Sequence, residues 1–345
     1  MNGVLDRSLT ELDALVAELG EPRFRTKQLV EWLWKRGASS YDEMTNLSKP
    51  FRERLAAVAP LRRATITEQQ ESADRTIKFL VEYPDGVLVE TVGLPSADGR
   101  LTCCMSTQAG CAMACTFCAT GQLGLARNLT CGEMAEQVRL VGEAFGRRVT
   151  NVVAMGQGEP FANYDQTLAA LRILNSPDGF GIGARHITVS TAGLLDGIRR
   201  FGGEPEQFTL AVSLHSAIQE SRDRIMPGLR GQTLEDLKAA MLDYSSRSGR
   251  RPSLEYALVS GVSDTSGEVG ALRRFAQVVG AHVNLIPINA IPGSDAKPTD
   301  RRRAREIAEE LEAAGVAASV RAERGADIAA ACGQLALSRR QSAES

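Results

Sequence analysis

Long apolar runs, a surplus of either charge, fixed-period repeats and a histidine near the cysteines are all missing from this sequence, and each absence closes a class of function. The longest apolar runs fall far short of the ~18 residues needed to span a bilayer, which excludes a membrane-embedded protein. The first thirty residues scatter acids through a helical apolar pattern and lack the basic start and unbroken apolar core of a secretory leader, so the expected location is the cytoplasm. Charge is nearly balanced, 40 basic against 42 acidic residues, and gives no global sign of a nucleic-acid protein. Seven cysteines, odd in number and with five of them inside residues 103–118, argue against a disulfide framework and favour metal or redox chemistry.

What is present falls into stretches with different periods. The chain has 345 residues, about two domain lengths at roughly 150 residues each. In residues 1–62, LDALVAEL, TKQLVEWLW and SKPFRERLAAV carry apolar residues at three- and four-residue spacing, which predicts a small helical domain. Between residues 21 and 63 ten basic residues face five acids, interleaved with Phe24, Trp32, Trp34, Tyr41 and Phe51. Such a stretch suits a phosphate backbone or, more blandly, a solvated charged face. Residues 63–100 hold IKFLVEY and VLVETVGL on either side of Pro84-Asp85-Gly86, which predicts a β-hairpin leading into the remainder of the chain.

From residue 101 to 335, short β-rich runs alternate with helical patterns: VTNVVAM, HITVST, FTLAVSL, SLEYALV, HVNLIPI and VAASVRA. Alternation of this kind predicts an α/β fold with a parallel sheet, open and doubly wound or curled into a barrel, with sites at the C-terminal strand ends. Residues 336–345 read as a disordered tail, and the Arg-rich segment 299–305 as a solvated one.

Cys111, Cys115 and Cys118 are spaced C-x3-C-x2-C on a loop after LTCCMST. Three thiolates on one loop suit a corner of an iron-sulfur cube and leave one iron without a protein ligand; a zinc site wants four ligands, in separated pairs. Met155-Gly156-Gln157-Gly158-Glu159-Pro160 follows a predicted strand. It fails as a dinucleotide fingerprint, because Phe161 stands where the third glycine belongs. Its glycines let backbone approach a ligand closely, and its Glu suits an ammonium group.

C-x3-C-x2-C with an aromatic before the last cysteine resembles the signature of radical S-adenosylmethionine (SAM) enzymes. In that superfamily SAM chelates the open iron through its amino and carboxylate groups, an electron from the cluster yields a 5′-deoxyadenosyl radical, and the fold is a partial (β/α)6 barrel. The resemblance narrows to the RlmN-type adenine-C2 methyltransferases of 23S rRNA and tRNA. RTKQLVEWLWKRGASSYDEMTNLSK, VETVGLP, CMSTQAGCAMACTFCATGQLGLARNL, MGQGEP, STAG, SLH, NLIPINAIPG and RGADIAAACGQL carry it across almost the whole chain.

The resemblance implies roles residue by residue. Cys332 would carry the methyl group, Cys104 would resolve the product by thiol exchange, and Glu90 in VETV would accept the C2 proton. Gly158, Glu159, Ser190, Ser213, Leu214, His215 and Asn289 would contact SAM, consumed twice per turnover as methyl donor and radical source. Cys111, Cys115 and Cys118 would hold one 4Fe-4S cluster. The expected partners are 23S rRNA and tRNA, engaged partly by the N-terminal helical domain, and a flavodoxin- or ferredoxin-type electron donor; the chain is expected to act as a monomer without a membrane.

Adenine C2 has neither an acidic proton nor a nucleophilic lone pair, which is why direct displacement on SAM fails and a radical route is needed. Adjacent strand residues point to opposite faces, so only one of Cys103 and Cys104 faces the interior. The family frame selects Cys104, seven residues before Cys111, leaving Cys103 a small buried hydrophobe. Glu90 points inward, where burial would raise its pKa, or outward on an edge; alternation leaves both open. Cys131, His186 and His282 read as structural. The alternatives are a Cfr-like C8 methyltransferase, using the same cysteines, and a non-catalytic RNA-binding module held by a metal.

Overall fold

The computed structural model describes residues 3–289, 297–322 and 324–335; the tail expected at 336–345 lies outside the described residues. Helix α1 (Leu9–Glu18) opens with a capping box, in which Ser8 and Glu11 exchange side-chain and backbone hydrogen bonds. Helix α2 (Phe24–Val30) runs into a π-helical turn, Glu31–Lys35, and α3 (Lys49–Val58) begins with Pro50 in its first turn. Leu12, Leu29, Leu33 and Phe51 are fully buried, as the apolar spacing predicts. The basic stretch is partly neutralised within this segment: Arg25 and Arg54 pair with Glu21, Arg36 with Glu31, and Arg52 with Asp42.

Strands β1 (Thr65–Glu71), β2 (Ile77–Glu82) and β3 (Leu88–Pro95) form an antiparallel meander. The expected hairpin is β2–β3, closed by Gly86 N–H donating to Tyr83 O, with Gly86 at φ +83°. β1, with the sequence TITEQQE, is the outermost strand, and its polar composition suits an edge while hiding it from an apolar-pattern search. β3 pairs in turn with β4 (Leu101–Cys104), so the 63–100 segment extends the main sheet.

Next, β5 (Gln108–Gly110) and β6 (Leu125–Asn128) pair with each other and bracket the cysteine loop and the short helix α4 (Ala119–Gln122). Strand and helix then alternate: α5 (Cys131–Ala144), β7 (Asn151–Ala154), α6 (Tyr164–Asn175), β8 (Ile187–Thr191), α7 (Leu195–Gly202) and β9 (Thr209–Ser213). Helices α8 (Gln219–Ile225) and α9 (Leu234–Ser248) precede β10 (Ser253–Leu258); α10 (Ser266–Val279), β11 (His282–Pro287), α11 (Arg301–Ala313) and β12 (Ala318–Val320) complete the series.

The sheet order is β1-β2-β3-β4-β7-β8-β9-β10-β11-β12, with every neighbour parallel from β4 onward. Spatial order follows sequence order without the reversal that defines a doubly wound sheet, which decides for the partial barrel. The six strands β4 and β7–β11 make the (β/α)6 unit, and β12 adds a seventh at its edge.

One apolar core runs through both parts of the chain, from Leu12, Leu29 and Phe51 to Val138 and Val141 on α5 and on into the barrel strands. Arg63 ties them together: it pairs with buried Glu136 and donates to the Leu33 and Ala38 carbonyls at 2.7 Å. Cys131 is buried at this junction, its thiol 3.5 Å from Asp6 O. His186 and His282 meet Asn151 and Ser319 at the N-terminal strand ends, the end of the barrel remote from the cysteine loop.

Candidate active site

The C-terminal ends of the parallel strands surround two adjoining cavities. One is lined by Cys111, Cys115 and Cys118 together with Gly158, Glu159, Ser190, Ser213, His215 and Asn289. The other is lined by Cys104 and Cys332 with Val153, Met155 and Leu94. Cys118, Met155, Asn289, Arg321 and Cys332 belong to both walls.

The cysteine loop is shaped by backbone bonds. Thr116 N–H donates to Ile225 O, Gly228 N–H to Met113 O, and Met113 N–H to Cys111 Sγ at 3.5 Å. Burial pushes the Cys111 thiol up to about 11 and the Cys115 thiol higher still, so a cation is needed to hold them as thiolates. Among the described residues, no group of three or more Cys, His, Asp or Glu is set to grip a single metal ion. A cube binds each thiolate to a different iron, so three sulfurs spread over one cavity wall suit a cluster better than zinc. In the same wall Glu255 Oε2 is buried without a hydrogen-bond partner, its nearest charge being Arg321 at 3.7 Å.

Glu159 is fully enclosed, and its carboxylate is already engaged. Oε2 accepts from Ala192 N–H at 2.6 Å, and Oε1 from Thr191 Oγ1 at 2.7 Å and Phe161 N–H at 2.9 Å. It therefore clamps the end of β7 to the end of β8, while burial raises its pKa above the ordinary carboxylate value. The glycines beside it line the cavity and are also pressed by neighbouring chain. A Cβ on Gly156 would meet Ser106 Oγ at 2.6 Å, and one on Gly158, at φ +102°, would meet Gln108 Cβ at 2.6 Å. Their bare backbones are required by the neighbouring chain, in addition to any ligand.

Ser213 and His215 reach the cavity, with Ser213 Oγ 3.5 Å from Ser190 Oγ. Leu214 between them does not: its side chain is fully buried in the core, as alternation demands, and its N–H donates to Glu255 O. His215 adopts φ +56°, its Nδ1 accepts from Ala257 N–H at 2.9 Å, and the Phe117 ring meets it edge-on at 4.5 Å. Burial, with Arg222 nearby, lowers its pKa to about 3, so the ring is neutral at physiological pH and carries its proton on Nε2. Asn289 lines both cavities, while the rest of its NAIPG motif lies outside the described residues.

The strand register separates the paired cysteines. Cys104 lies opposite Val92, and Cys103 opposite Gly93. Val92 packs with Cys104, Ala330 and Leu335, whereas Cys103 is wholly buried in the main core beside Thr91 Oγ1 at 3.6 Å. Burial pushes the Cys103 thiol to about 12 and Cys104 higher, with the nearby Cys332 adding to the latter and Arg321 opposing it.

Cys332 is exposed on a loop held from two sides. Asp327 accepts from Ser72 Oγ at 2.6 Å and Ala73 N–H at 3.2 Å, and Arg324 pairs with Asp74 at 2.7 Å. From the cysteine-loop side, Ala119 N–H donates to Gly333 O and Thr120 Oγ1 to Leu335 O, each at 2.7 Å. The β1–β2 turn is thus part of the site's scaffold.

Glu90 faces inward and is 1% exposed, on the same face of β3 as Val92 and Leu94. It is not on either cavity wall. Lys78, itself buried, stands 3.2 Å from its carboxylate and donates to Ala329 O at 3.4 Å, linking Glu90 to the Cys332 loop. Burial alone, the setting expected from the flanking valines, is therefore not its environment: a buried ion pair is. Arg321 and Glu255 also escape the sequence reading. Arg321 follows the last strand and approaches Glu255 at 3.7 Å and Met155 Sδ at 3.5 Å. Its place at a C-terminal strand end, and the acid inside the otherwise apolar SLEYALV, were the available signals.

Comparison with known proteins gives concordant results. Residues 3–61 match the family described as "Ribosomal RNA large subunit methyltransferase N-terminal domain", and residues 105–268 match the radical SAM superfamily. The chain is 45% identical to the "Probable dual-specificity RNA methyltransferase RlmN" of Gloeobacter violaceus over 96% of this chain and 94% of that one. It is 43% identical to the protein of the same description from Symbiobacterium thermophilum, over 95% and 89%. A crystal structure of a radical SAM methyltransferase from Sphaerobacter thermophilus superposes with a TM-score of 0.90 at 42% identity, covering 97% of this chain and 99% of that one.

Proposed function

This chain belongs to the RlmN family of RNA methyltransferases, and from that premise we propose that it methylates C2 of an adenosine in 23S rRNA, at the peptidyl-transferase centre, and in tRNA, next to the anticodon, through a methylated cysteine. It is a SAM-dependent enzyme, and radical SAM membership implies SAM and a 4Fe-4S cluster. Held by Cys111, Cys115 and Cys118, the cluster would supply the one-electron reduction of SAM that yields a carbon radical.

The observation that carries this reading is the shared cavity of Cys104 and Cys332, set against the cavity of the other three cysteines. In the proposed cycle Cys332 takes the methyl of one SAM by displacement, and a second SAM serves as the radical source. Once the methylene carbon is on C2 and the C2 proton has gone to the base, the Cys104 thiolate attacks the Cys332 sulfur; the S–CH2 bond breaks, its electron pair leaves on the carbon, which takes a proton to become the methyl group, and a Cys104–Cys332 disulfide remains. Glu90 is the proposed acceptor of the C2 proton, held beside the Cys332 loop through Lys78. Gly158, Glu159, Ser190, Ser213, His215 and Asn289 are the proposed SAM contacts, with Leu214 contributing through its backbone. Residues 1–62 are the proposed RNA-engaging domain, 63–100 the sheet extension and 101–335 the catalytic barrel. The reading is completed by a flavodoxin- or ferredoxin-type electron donor, a monomeric state and a cytoplasmic setting; no described helix is long and apolar enough to cross a membrane.

The test is to reconstitute the protein anaerobically, supply SAM, a reductant and either an rRNA fragment or tRNA, and identify the product nucleosides by mass spectrometry. 2-Methyladenosine from both RNAs is expected. 8-Methyladenosine would move the chain to the Cfr-like activity, and unmodified RNA bound by colourless, zinc-containing protein would return it to the binding-module reading.

A further inference from the structure

Arg321 stands where the two cavities meet and has no part in the cycle above. Its backbone N–H donates to Leu285 O at 2.8 Å, which fixes it just beyond the end of β12. Its side chain, 34% exposed, reaches the walls of both cavities. Glu255 at 3.7 Å balances its charge without using up its donors. Nη1 donates to Met155 Sδ at 3.5 Å, a weak acceptor, and no other hydrogen bond joins the guanidinium to the described residues. Cys332 does most to raise its pKa, burial opposes, and Glu255 and Cys104 add to the rise, so the group is charged and faces both thiols. The other N–H and O–H side chains described on the wall of the Cys104–Cys332 cavity are committed elsewhere. Thr120 Oγ1 donates to Leu335 O, Arg324 is tied to Asp74 and Pro95 O, and Asn289 belongs with the proposed SAM contacts. Leu94, Val153, Ile286 and Ala330 make much of the rest apolar.

We propose that Arg321 reads the target base, its guanidinium donating to a ring nitrogen beside C2 of the adenine. The inference rests on the adenine-C2 reading and deepens it. C2 lies between N1 and N3, both in-plane acceptors, so the edge that must approach the thiols presents no donor of its own. A carbon radical on Cys332 has to meet C2 from above the ring, which leaves the ring plane to the guanidinium and the ring faces to the apolar wall. The same contact assists release. When the Cys104 thiolate takes the Cys332 sulfur, the S–CH2 electron pair stays on the carbon and spreads onto N1 and N3 until water supplies the proton that completes the methyl group. A cation at either nitrogen stabilises that charge. Guanine would bring an amino group onto C2 itself and an N–H at N1, setting donors against a donor. A base contact of this kind is common to an rRNA loop and a tRNA loop whatever their flanking sequences.

The test uses reconstituted holoenzyme already methylated on Cys332, supplied with SAM, a reductant and an rRNA hairpin carrying adenosine, 1-deazaadenosine or 3-deazaadenosine at the target position. Single-turnover rates are read. Replacing either nitrogen by C–H also makes C2 less electrophilic and slows the wild type by itself, so the readout is whether that loss and the loss from Arg321→Ala add. Arg321→Ala should react with adenosine about 100-fold more slowly than wild type, with Arg321→Lys in between. RNA affinity, read by anisotropy, should stay within a few-fold of wild type. On one of the two analogues the variant and the wild type should react at similar rates, because the acceptor is already gone; on the other the full gap should persist. Methyl loading read by intact mass, with cluster absorbance, reports that each variant is folded, and Arg321→Lys carries the comparison if the alanine variant does not hold its cluster. A wild-type rate from Arg321→Ala on adenosine, or a full gap on both analogues, overturns the proposal. So does folded Arg321→Ala protein that cannot load the methyl group, which would assign the arginine to SAM or to the thiols. If wild-type enzyme makes no 2-methyladenosine, the functional reading fails and this proposal with it; if it makes 2-methyladenosine and the gaps persist, the proposal fails alone.

Discussion

Cys104 stands directly across the β3–β4 ladder from Val92, and both side chains meet the loop that carries Cys332. Cys103, one residue earlier, is turned into the main core. Cys104→Ala should therefore trap RNA covalently on Cys332, visible as a slow band on a denaturing gel, because no thiol remains to release the product. Cys103→Ala should turn over near the wild-type rate and cost about 1 kcal/mol or less of stability. A crosslink from the Cys103 variant, or normal product from the Cys104 variant, would reverse the assignment.

Asp327 hangs the Cys332 loop from Ser72 and Ala73, and Asp74 holds it through Arg324. Asp327→Ala should lower turnover by about 10- to 100-fold through misplacement of the cysteine, with little change in melting temperature. Hydrogen bonds from Ser72 and Ala73 lower the Asp327 pKa; burial opposes, but Thr76 and Arg324 outweigh it, in lowering that of Asp74. Carboxyls with folded-state values below their unfolded ones, about 3.9, contribute fully above that pH, and the contribution is lost as pH falls through the folded values. Turnover should show no inflection from these two groups near neutral pH, and limited proteolysis of the loop should accelerate only in acid.

Gly158 is at φ +102° with Gln108 pressed against the position of its absent Cβ. Gly158→Ala should cost roughly 1–3 kcal/mol in backbone strain alone, and it should displace the Glu159 clamp. Denaturant unfolding would read the first effect and equilibrium dialysis of SAM the second. Wild-type stability together with wild-type SAM affinity would show that the packing around residue 158 has been misjudged.

The barrel was legible because each parallel strand is a short apolar run bounded by turn residues, and because the three-cysteine spacing leaves few chemistries open. The Cys103–Cys104 choice was legible in outline from strand alternation, and the β3 register settles which face is which. β1 was not legible, since an edge strand of Thr, Glu and Gln carries no apolar period. Lys78 was hidden for a different reason: its partner Glu90 is twelve residues away, across the β2–β3 turn, and only the ladder brings the two together. Gly156 and Gly158 were recognised as a close-approach signal, but sequence cannot say what approaches; Ser106 and Gln108 do.

In the proposed cycle the methyl group passes through Cys332 and loses a hydrogen there before reaching RNA. This passage is tested most directly by supplying SAM with a fully deuterated methyl group and weighing the methyladenosine released from an rRNA fragment. Two deuteriums in the new methyl group, together with no product from Cys332→Ala protein that retains its cluster absorbance, are the predicted results. Three deuteriums, or product from the Cys332 variant, would contradict the account.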